Sequence, residues 1–176
     1  MHFPGPLPSP SVTTAGVATA PPGWVLDTHV VLDWLAFGDP RTRFIEPALA
    51  AGQARWLATQ AMQGEFERVL ARSKFTHLQG NLPDPGAPWG RWATRRPAPP
   101  PAPWRCSDPD DQVFIDLAVA ERATALFTRD KALRRMAARA RSLGLWIGPP
   151  ELWPGRPADP GLAVPPRGAE PARNPG

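Results

Sequence analysis

Proline sets the limits within which this chain can fold. Of its 26 prolines, six lie between Met1 and Pro22, eight between Asn81 and Pro103 and nine between Pro149 and Gly176, leaving only Pro40, Pro47 and Pro109 elsewhere. Each proline removes a backbone donor and fixes φ, so regular structure has to be built between those blocks. The expected organisation is one domain over residues 23–153, interrupted by a Pro-rich loop at about 79–105, with a disordered extension over 1–22 and a disordered tail over 154–176. Residues 1–22 hold no Lys, Arg, Asp or Glu, and no apolar run there is long enough for a signal peptide or a membrane span. Cys106 is the only cysteine. That excludes an internal disulfide and a zinc ribbon, and it points to a reducing cytoplasm.

Between these limits, apolar runs of strand length alternate with stripes of helical spacing. Trp24 to Leu26, Trp56 to Thr59, Ala125 to Thr128 and Leu145 to Ile147 read as strands. Val30, Val31, Trp34 and Leu35, then Phe44, Ile45 and Leu49, mark two helices after the first strand. A third helix follows Met62, Phe66, Val69 and Leu70, a fourth Val113, Phe114, Leu117 and Ala118, and a fifth Leu133, Met136, Ala137 and Ala140. Asp108-Pro109-Asp110-Asp111 has the form of the fourth helix's start, with Asp108 as the cap and Pro109 at the first helical position. Strands alternating with helices, and few hairpin signals, predict an α/β domain with a small parallel sheet covered by helices on both faces.

Four acids, Asp27, Glu65, Asp111 and Asp130, are delivered by this frame to one edge and read as a divalent-metal site. Asp27 and Asp130 follow the first and third strands, where an open parallel sheet gathers its reactive groups. Glu65 stands three residues after Met62 and four before Val69, and Asp111 stands three before Phe114, so both share core-facing stripes. A carboxylate there needs a partner. A cap or loop charge is the ordinary role of any one such aspartate, but four acids in this order favour a shared cation, since clustered carboxylates repel unless neutralised. Oxygen ligands without a Cys or His cluster favour Mg²⁺ or Mn²⁺. Glu67, Asp116 and Glu121 read as solvated charges, and Asp33 and Asp39 as cap or turn residues.

These residues also match a known pattern. Val25-Leu26-Asp27-Thr28-His29-Val30-Val31-Leu32 resembles the opening strand and turn of PIN domains, usually Leu-Asp-Thr-Asn followed by an apolar helix. Gln63 to Leu70 resembles the helix that carries their second acid. Asp108 to Ala118, followed by Leu126 to Leu133, resembles their paired-acid helix and Thr-x-Asp turn. The ordered set covers residues 23–153 and implies a PIN-like three-layer sandwich. It is most similar to the toxins of toxin-antitoxin pairs, which are metal-dependent ribonucleases held in check by a co-expressed antitoxin.

The resemblance implies Asp27, Glu65, Asp111 and Asp130 as metal-binding catalytic acids, with Asp108 and Asp110 as second choices because the cluster could be shifted by one turn. His29 departs from the family's Asn. A core-facing structural place and an organising contact with the acids are both open to it. Thr28 and Thr128 read as hydroxyls that orient carboxylates, since neither is paired with a base that would make it a nucleophile. The implied reaction is hydrolysis by an activated water, leaving a 5′-phosphate and a 3′-hydroxyl. A homodimer is also implied, with Trp and Leu expected to be exposed on the first helices.

An acidic centre repels RNA, so positive charge is expected around it. Residues 129–141 hold six bases, Arg129, Lys131, Arg134, Arg135, Arg139 and Arg141, against the single acid Asp130. Lys131, Arg135 and Arg139 recur every four residues and are the expected RNA contacts. The loop adds Arg91, Arg95, Arg96 and Arg105 with Trp89, Trp92 and Trp104 interleaved, a mixture suited to unpaired bases. A charged helix face is more often merely solvated, and Trp92 or Trp104 can instead cover the core. Three other functions compete. An inactive PIN-scaffold RNA-binding or regulatory module is favoured by His29. A flap-type or other deoxyribonuclease would need elements this short chain lacks. A phosphoacceptor receiver would need a central strand ending in Asp, where Ala58-Thr59 has none.

Overall fold

The computed structural model describes residues 20–72, 82 and 84–156. Five strands form one parallel sheet in the order β3-β2-β1-β4-β5: β1 (Gly23–Leu26), β2 (Arg55–Thr59), β3 (Ala93–Arg96), β4 (Ala125–Phe127) and β5 (Trp146–Gly148). Helices α1 (Thr28–Leu35) and α2 (Ile45–Ala50) join β1 to β2, and α3 (Gln60–Leu70) and α4 (Ala87–Trp92) lie between β2 and β3. From β3 the chain crosses back through α5 (Gln112–Ala120) to β4, then runs through α6 (Lys131–Arg134) and α7 (Ala137–Ala140) to β5. Parallel crossovers are right-handed, which puts α1 to α4 on one face of the sheet and α5 to α7 on the other. Every residue of β1 and β4 is buried, as in a sheet covered on both sides. This is the expected PIN-like three-layer α/β sandwich.

Side chains alternate across a strand, and here the two faces differ in kind. Trp24, Trp56, Ala125 and Trp146 are aligned in register across four strands. Trp34 of α1 meets Trp56 edge-on at 5.5 Å, and Trp89 of α4 packs on Trp56 at 4.4 Å. Trp24 is ringed by Phe44, Phe127 and Trp153, with centroids 5.9, 5.2 and 4.9 Å away. The indole N–H groups of Trp24, Trp56 and Trp89 are buried without partners. Burying one such ring contributes roughly 4–6 kcal/mol at ~25 cal per Å², against about 1–3 kcal/mol for the unmade hydrogen bond. The aromatic layer therefore tolerates the loss. On the alternate positions Val25, Leu57 and Leu126 make an aliphatic face, and α5 packs on β1 and β4.

The chain leaves β1 and β4, the two central neighbours, toward opposite edges of the sheet. Beyond their carboxyl ends lies the crevice in which doubly wound sheets bind ligands. Asp27 follows β1 and donates its N–H to the Phe127 carbonyl at 3.0 Å, while Thr128 follows β4 and donates to the Gly148 carbonyl at 2.8 Å. Backbone pairing thus sets the two acid-bearing turns side by side.

Several expectations change. The segment expected as a loop over 79–105 contains α4 and β3, and β3 pairs with β2 from Trp56↔Ala93 to Thr59↔Arg96. The fourth helix begins at Gln112, later than Asp108, because residues 108–111 turn first: Asp108 Oδ1 accepts the Asp110 N–H and the Pro109 carbonyl accepts the Gln112 N–H. The fifth helix is divided into α6 and α7. On α1, Leu32 and Trp34 are buried and Leu35 is half-buried against the core, so that helix presents little of the Trp and Leu surface expected for a dimer. At the ends, residues 1–19 of the expected extension and 157–176 of the expected tail lie outside the described residues, whereas Pro21 and Pro22 carbonyls already accept hydrogen bonds from Arg55.

Candidate metal centre

Asp27 is built into the first turn of α1. As its N-cap it accepts the Val30 N–H on Oδ1 at 2.8 Å, which fixes the carboxylate at the head of the crevice. It is 3% exposed, and its Oδ2 makes no close hydrogen bond, the Thr128 hydroxyl being the polar side chain that faces the carboxylate. Burial pushes its pKa above the ordinary value, opposed by the Thr128 hydroxyl, the Val30 N–H and the charge of His29.

Asp130 caps α6 in the same way. Its Oδ1 accepts from the Ala132 and Leu133 N–H groups, and its own N–H donates to Thr128 Oγ1 at 2.9 Å. Thr128 is fully buried and so holds the turn after β4 against the Asp27 turn. Burial acts to raise the Asp130 pKa, but the Leu133 and Ala132 N–H groups and Asp111 outweigh it, so the carboxyl lies below its ordinary value. Asp111, half-buried just before α5, is pushed up to about 7 by burial first, then by Asp130, Asp108 and Asp27. The two shifts are complementary: contact between the two carboxyls favours the protonated form of Asp111 and the charged form of Asp130. Asp27, Asp111 and Asp130 therefore form one electrostatic unit drawn from three elements, with Asp108 exposed at its rim.

This unit suits a hard divalent cation in two respects, the carboxylate chemistry of its donors and the buried Oδ2 of Asp27, which makes no close hydrogen bond. The acids do not already stand as a closed cage. Among the described residues no group of three or more His, Cys, Asp or Glu is placed to hold a metal ion. Glu65 is half-buried on α3 and, among the described residues, makes no hydrogen bond or ion pair with the three aspartates. Asp110 is exposed in the turn before Asp111. Thr28 is buried at the start of α1, and His29 is exposed, which removes the core-facing reading of that residue.

The basic rim is smaller than expected. Lys131, Arg134, Arg135, Arg139 and Arg141 are exposed. Arg129 instead pairs with Glu151 and, at 3.0 Å, with Asp33, tying the turn after β4 to α1 and to the turn after β5. Asp39 caps the turn over Pro40–Thr42 and pairs with Arg41. In the Pro-rich segment Trp89 is core, Arg95 donates to Gln60 and Gln63, and Arg96 pairs with Glu121 at 2.6 Å. Arg91 lies over Trp92 at 4.5 Å.

Two residues with a positioning role were not singled out by their sequence context. Asp116 accepts the Ala102 N–H at 2.7 Å, so it is not merely a solvated charge. Gln112 accepts the Cys106 N–H at 2.7 Å and donates to the Trp104 carbonyl at 3.0 Å. Together they staple residues 102–106 onto α5 beside Asp111. Their four-residue spacing, one helical turn, was the available signal.

A family model described as the PIN domain matches residues 24–132, a stretch that includes Asp27, Glu65, Asp111 and Asp130. No curated protein matches the chain.

Proposed function

Since the chain belongs to the PIN-domain family, and PIN domains are generally nucleases, we propose that it is a Mg²⁺- or Mn²⁺-dependent endoribonuclease, the toxin of a toxin-antitoxin pair. The observation that carries this is the convergence, at the switch point of the sheet, of Asp27, whose buried Oδ2 makes no close hydrogen bond, with an Asp111 that burial first and then the neighbouring acids push up to about 7. Such a site is poised for a cation.

Asp27, Asp111 and Asp130 would hold the metal, with Glu65 as the fourth acid and Asp108 and Asp110 as alternatives at the rim. When bound, the cation supplies the Lewis acidity that activates water and neutralises charge building on the phosphate. The α1 and α6 caps keep Asp27 and Asp130 fixed, so little side-chain entropy is lost when a cation binds. Thr128 sets the spacing between the two turns, and Thr28 and His29 border Asp27. The exposed cations from Lys131 onward, with Arg135 and Arg139, offset the repulsion between the acids and the RNA backbone.

The nuclease domain is assigned to residues 23–153, flanked by Pro-rich segments. No helix among the described residues is long and apolar enough to cross a membrane, and free Cys106 suits a reducing cytoplasm. A cognate antitoxin and a homodimer are the partners this reading implies.

The test is a cleavage assay on end-labelled single-stranded RNA with Mn²⁺, with EDTA, and with Asp27→Asn. Metal-dependent products carrying 5′-phosphates, lost in the variant, support the proposal. RNA binding without cleavage under every metal condition would leave the regulatory reading, which His29 in place of the family's Asn favours.

A further inference from the structure

Beside Asp130 a cleft of about 490 Å³ runs along the open edge of β5, lined by Lys131, Arg134 and Arg135 on one side and by Trp146, Gly148 and Leu152 on the other. The indole of Trp146 is half-buried and lies over Gly148. A Cβ at residue 148 would come within 2.9 Å of two ring carbons, so glycine is what lets the ring settle there. Phe127 meets the same indole edge-on at 5.9 Å and holds it from behind. Leu152 is 65% exposed and extends the apolar surface. Among the described residues none of the three cations makes an ion pair, and no acid lines the cleft.

A fixed aromatic surface beside three uncompensated cations matches an unstacked base with its flanking phosphates. The cleft includes Lys131, the residue after Asp130, so a strand held in it lies next to the turn that carries that acid. We infer that this cleft is a nucleotide subsite in which a base of single-stranded RNA stacks on Trp146 while Lys131, Arg134 and Arg135 hold the adjoining phosphates. The inference rests on the nuclease reading for its choice of RNA. It differs from a plain basic stripe in what it selects: Arg134 belongs to the subsite, Arg139 lies outside its lining, and an aromatic residue beyond the helix supplies the base contact. An acidic peptide laid along the β5 edge is the rival occupant.

Binding measured in EDTA separates this from cleavage. Fluorescence anisotropy with labelled hexauridylate, and with the same backbone carrying abasic sites, is read for the full chain, Trp146→Leu, Trp146→Phe and Lys131→Gln/Arg134→Gln/Arg135→Gln. Trp146→Leu should weaken hexauridylate binding roughly tenfold, the scale of one lost stack, while abasic affinity changes less than about twofold; Trp146→Phe should keep most of the difference. The triple variant should weaken both ligands alike and lower the slope of log affinity against log salt by roughly two. Photo-crosslinking of 5-iodouridine RNA to the unmodified chain should label the peptide containing Trp146, a readout independent of how the variants fold. Equal loss for both ligands on Trp146→Leu, an unchanged salt slope, or crosslinks confined to other peptides overturns the subsite. Metal-dependent cleavage that persists alongside such a result would leave the nuclease reading standing. Base-dependent binding without any cleavage would sink that reading and keep the subsite.

Discussion

The carboxyl groups of Asp111 and Asp130 move in opposite directions. Burial and the surrounding acids push Asp111 up to about 7, whereas Asp130, despite the burial that would raise it, is held below its ordinary value by the N–H groups of Leu133 and Ala132 and by Asp111. Burial and like charge favour the protonated form of Asp111, whereas the two backbone donors favour the charged form of Asp130.

Stability of the metal-free protein should follow. Asp111 has an ordinary pKa of 3.8, so between about pH 4 and pH 7 the folded state binds more protons than the unfolded chain. Its contribution to stability therefore falls as pH rises through that window and is level above it. Asp130 has the reverse sign: its contribution is present above its ordinary pKa and is lost as pH drops toward its folded value. For the partly exposed Asp111, screening reduces the effect to on the order of 1–2 kcal/mol, or about 3–6 °C in Tm. Thermal unfolding in EDTA should show a higher Tm at pH 5 than at pH 8 and a flatter profile for Asp111→Asn. Mn²⁺ should stabilise the wild type more at pH 8 than at pH 5, because the cation and the proton compete. A profile that Asp111→Asn leaves unaltered would contradict the assignment.

Asp27 serves both fold and site through different oxygens. Asp27→Asn keeps an acceptor for the Val30 N–H and removes a buried charge, so the fold should be retained or slightly stabilised while Mn²⁺ binding by calorimetry and RNA cleavage are lost. Asp27→Ala should also lose the cap, at a cost of about 1 kcal/mol. Equal Tm values for the two variants would show that the cap contributes nothing.

Arg129 gives the opposite split. It sits 24% exposed between Asp33 and Glu151, with Asp39 at 3.9 Å, and Arg129→Met would leave Asp33 unpaired and Glu151 with only its 3.9 Å contact to Arg41. A loss of about 1–3 kcal/mol is expected, reduced in high salt. RNA affinity in EDTA should change far less than in the Lys131/Arg134/Arg135 variant. A matching drop in RNA affinity with unchanged stability would return Arg129 to the binding surface.

Arg129 also shows where sequence reading stops. Position after Asp-bearing turns and neighbours rich in Arg suggest a rim residue, but three acids from remote segments draw the guanidinium inward, and nothing local announces them. β1, β2, β4 and β5 were legible because burial on two faces demands apolar runs. β3 was not: Ala93-Thr94-Arg95-Arg96 is an edge strand held by backbone pairing and by Arg side chains at its flank, so it carries no apolar signature and lies between prolines. Asp27 and Asp130 were legible because they follow strands that could be read. The start of α5 was displaced because Asp108 uses its carboxylate on a local turn, a competition that the cap pattern alone does not resolve. Glu65 depends on how α3 rotates against the sheet, which helical spacing fixes only to a stripe.

His29 offers the last test, because its charge acts on Asp27. It is exposed in the first turn of α1, and its positive charge acts to lower the pKa of Asp27. A cation entering beside Asp27 would meet the same charge with the opposite sign of effect. His29→Asn should therefore tighten Mn²⁺ binding about two- to fivefold, consistent with a unit charge acting through solvent. Calorimetry measures it, with cleavage followed in parallel. A tenfold or larger rise in cleavage would mean that histidine at this position restrains the natural enzyme, and no change in either quantity would make it a bystander.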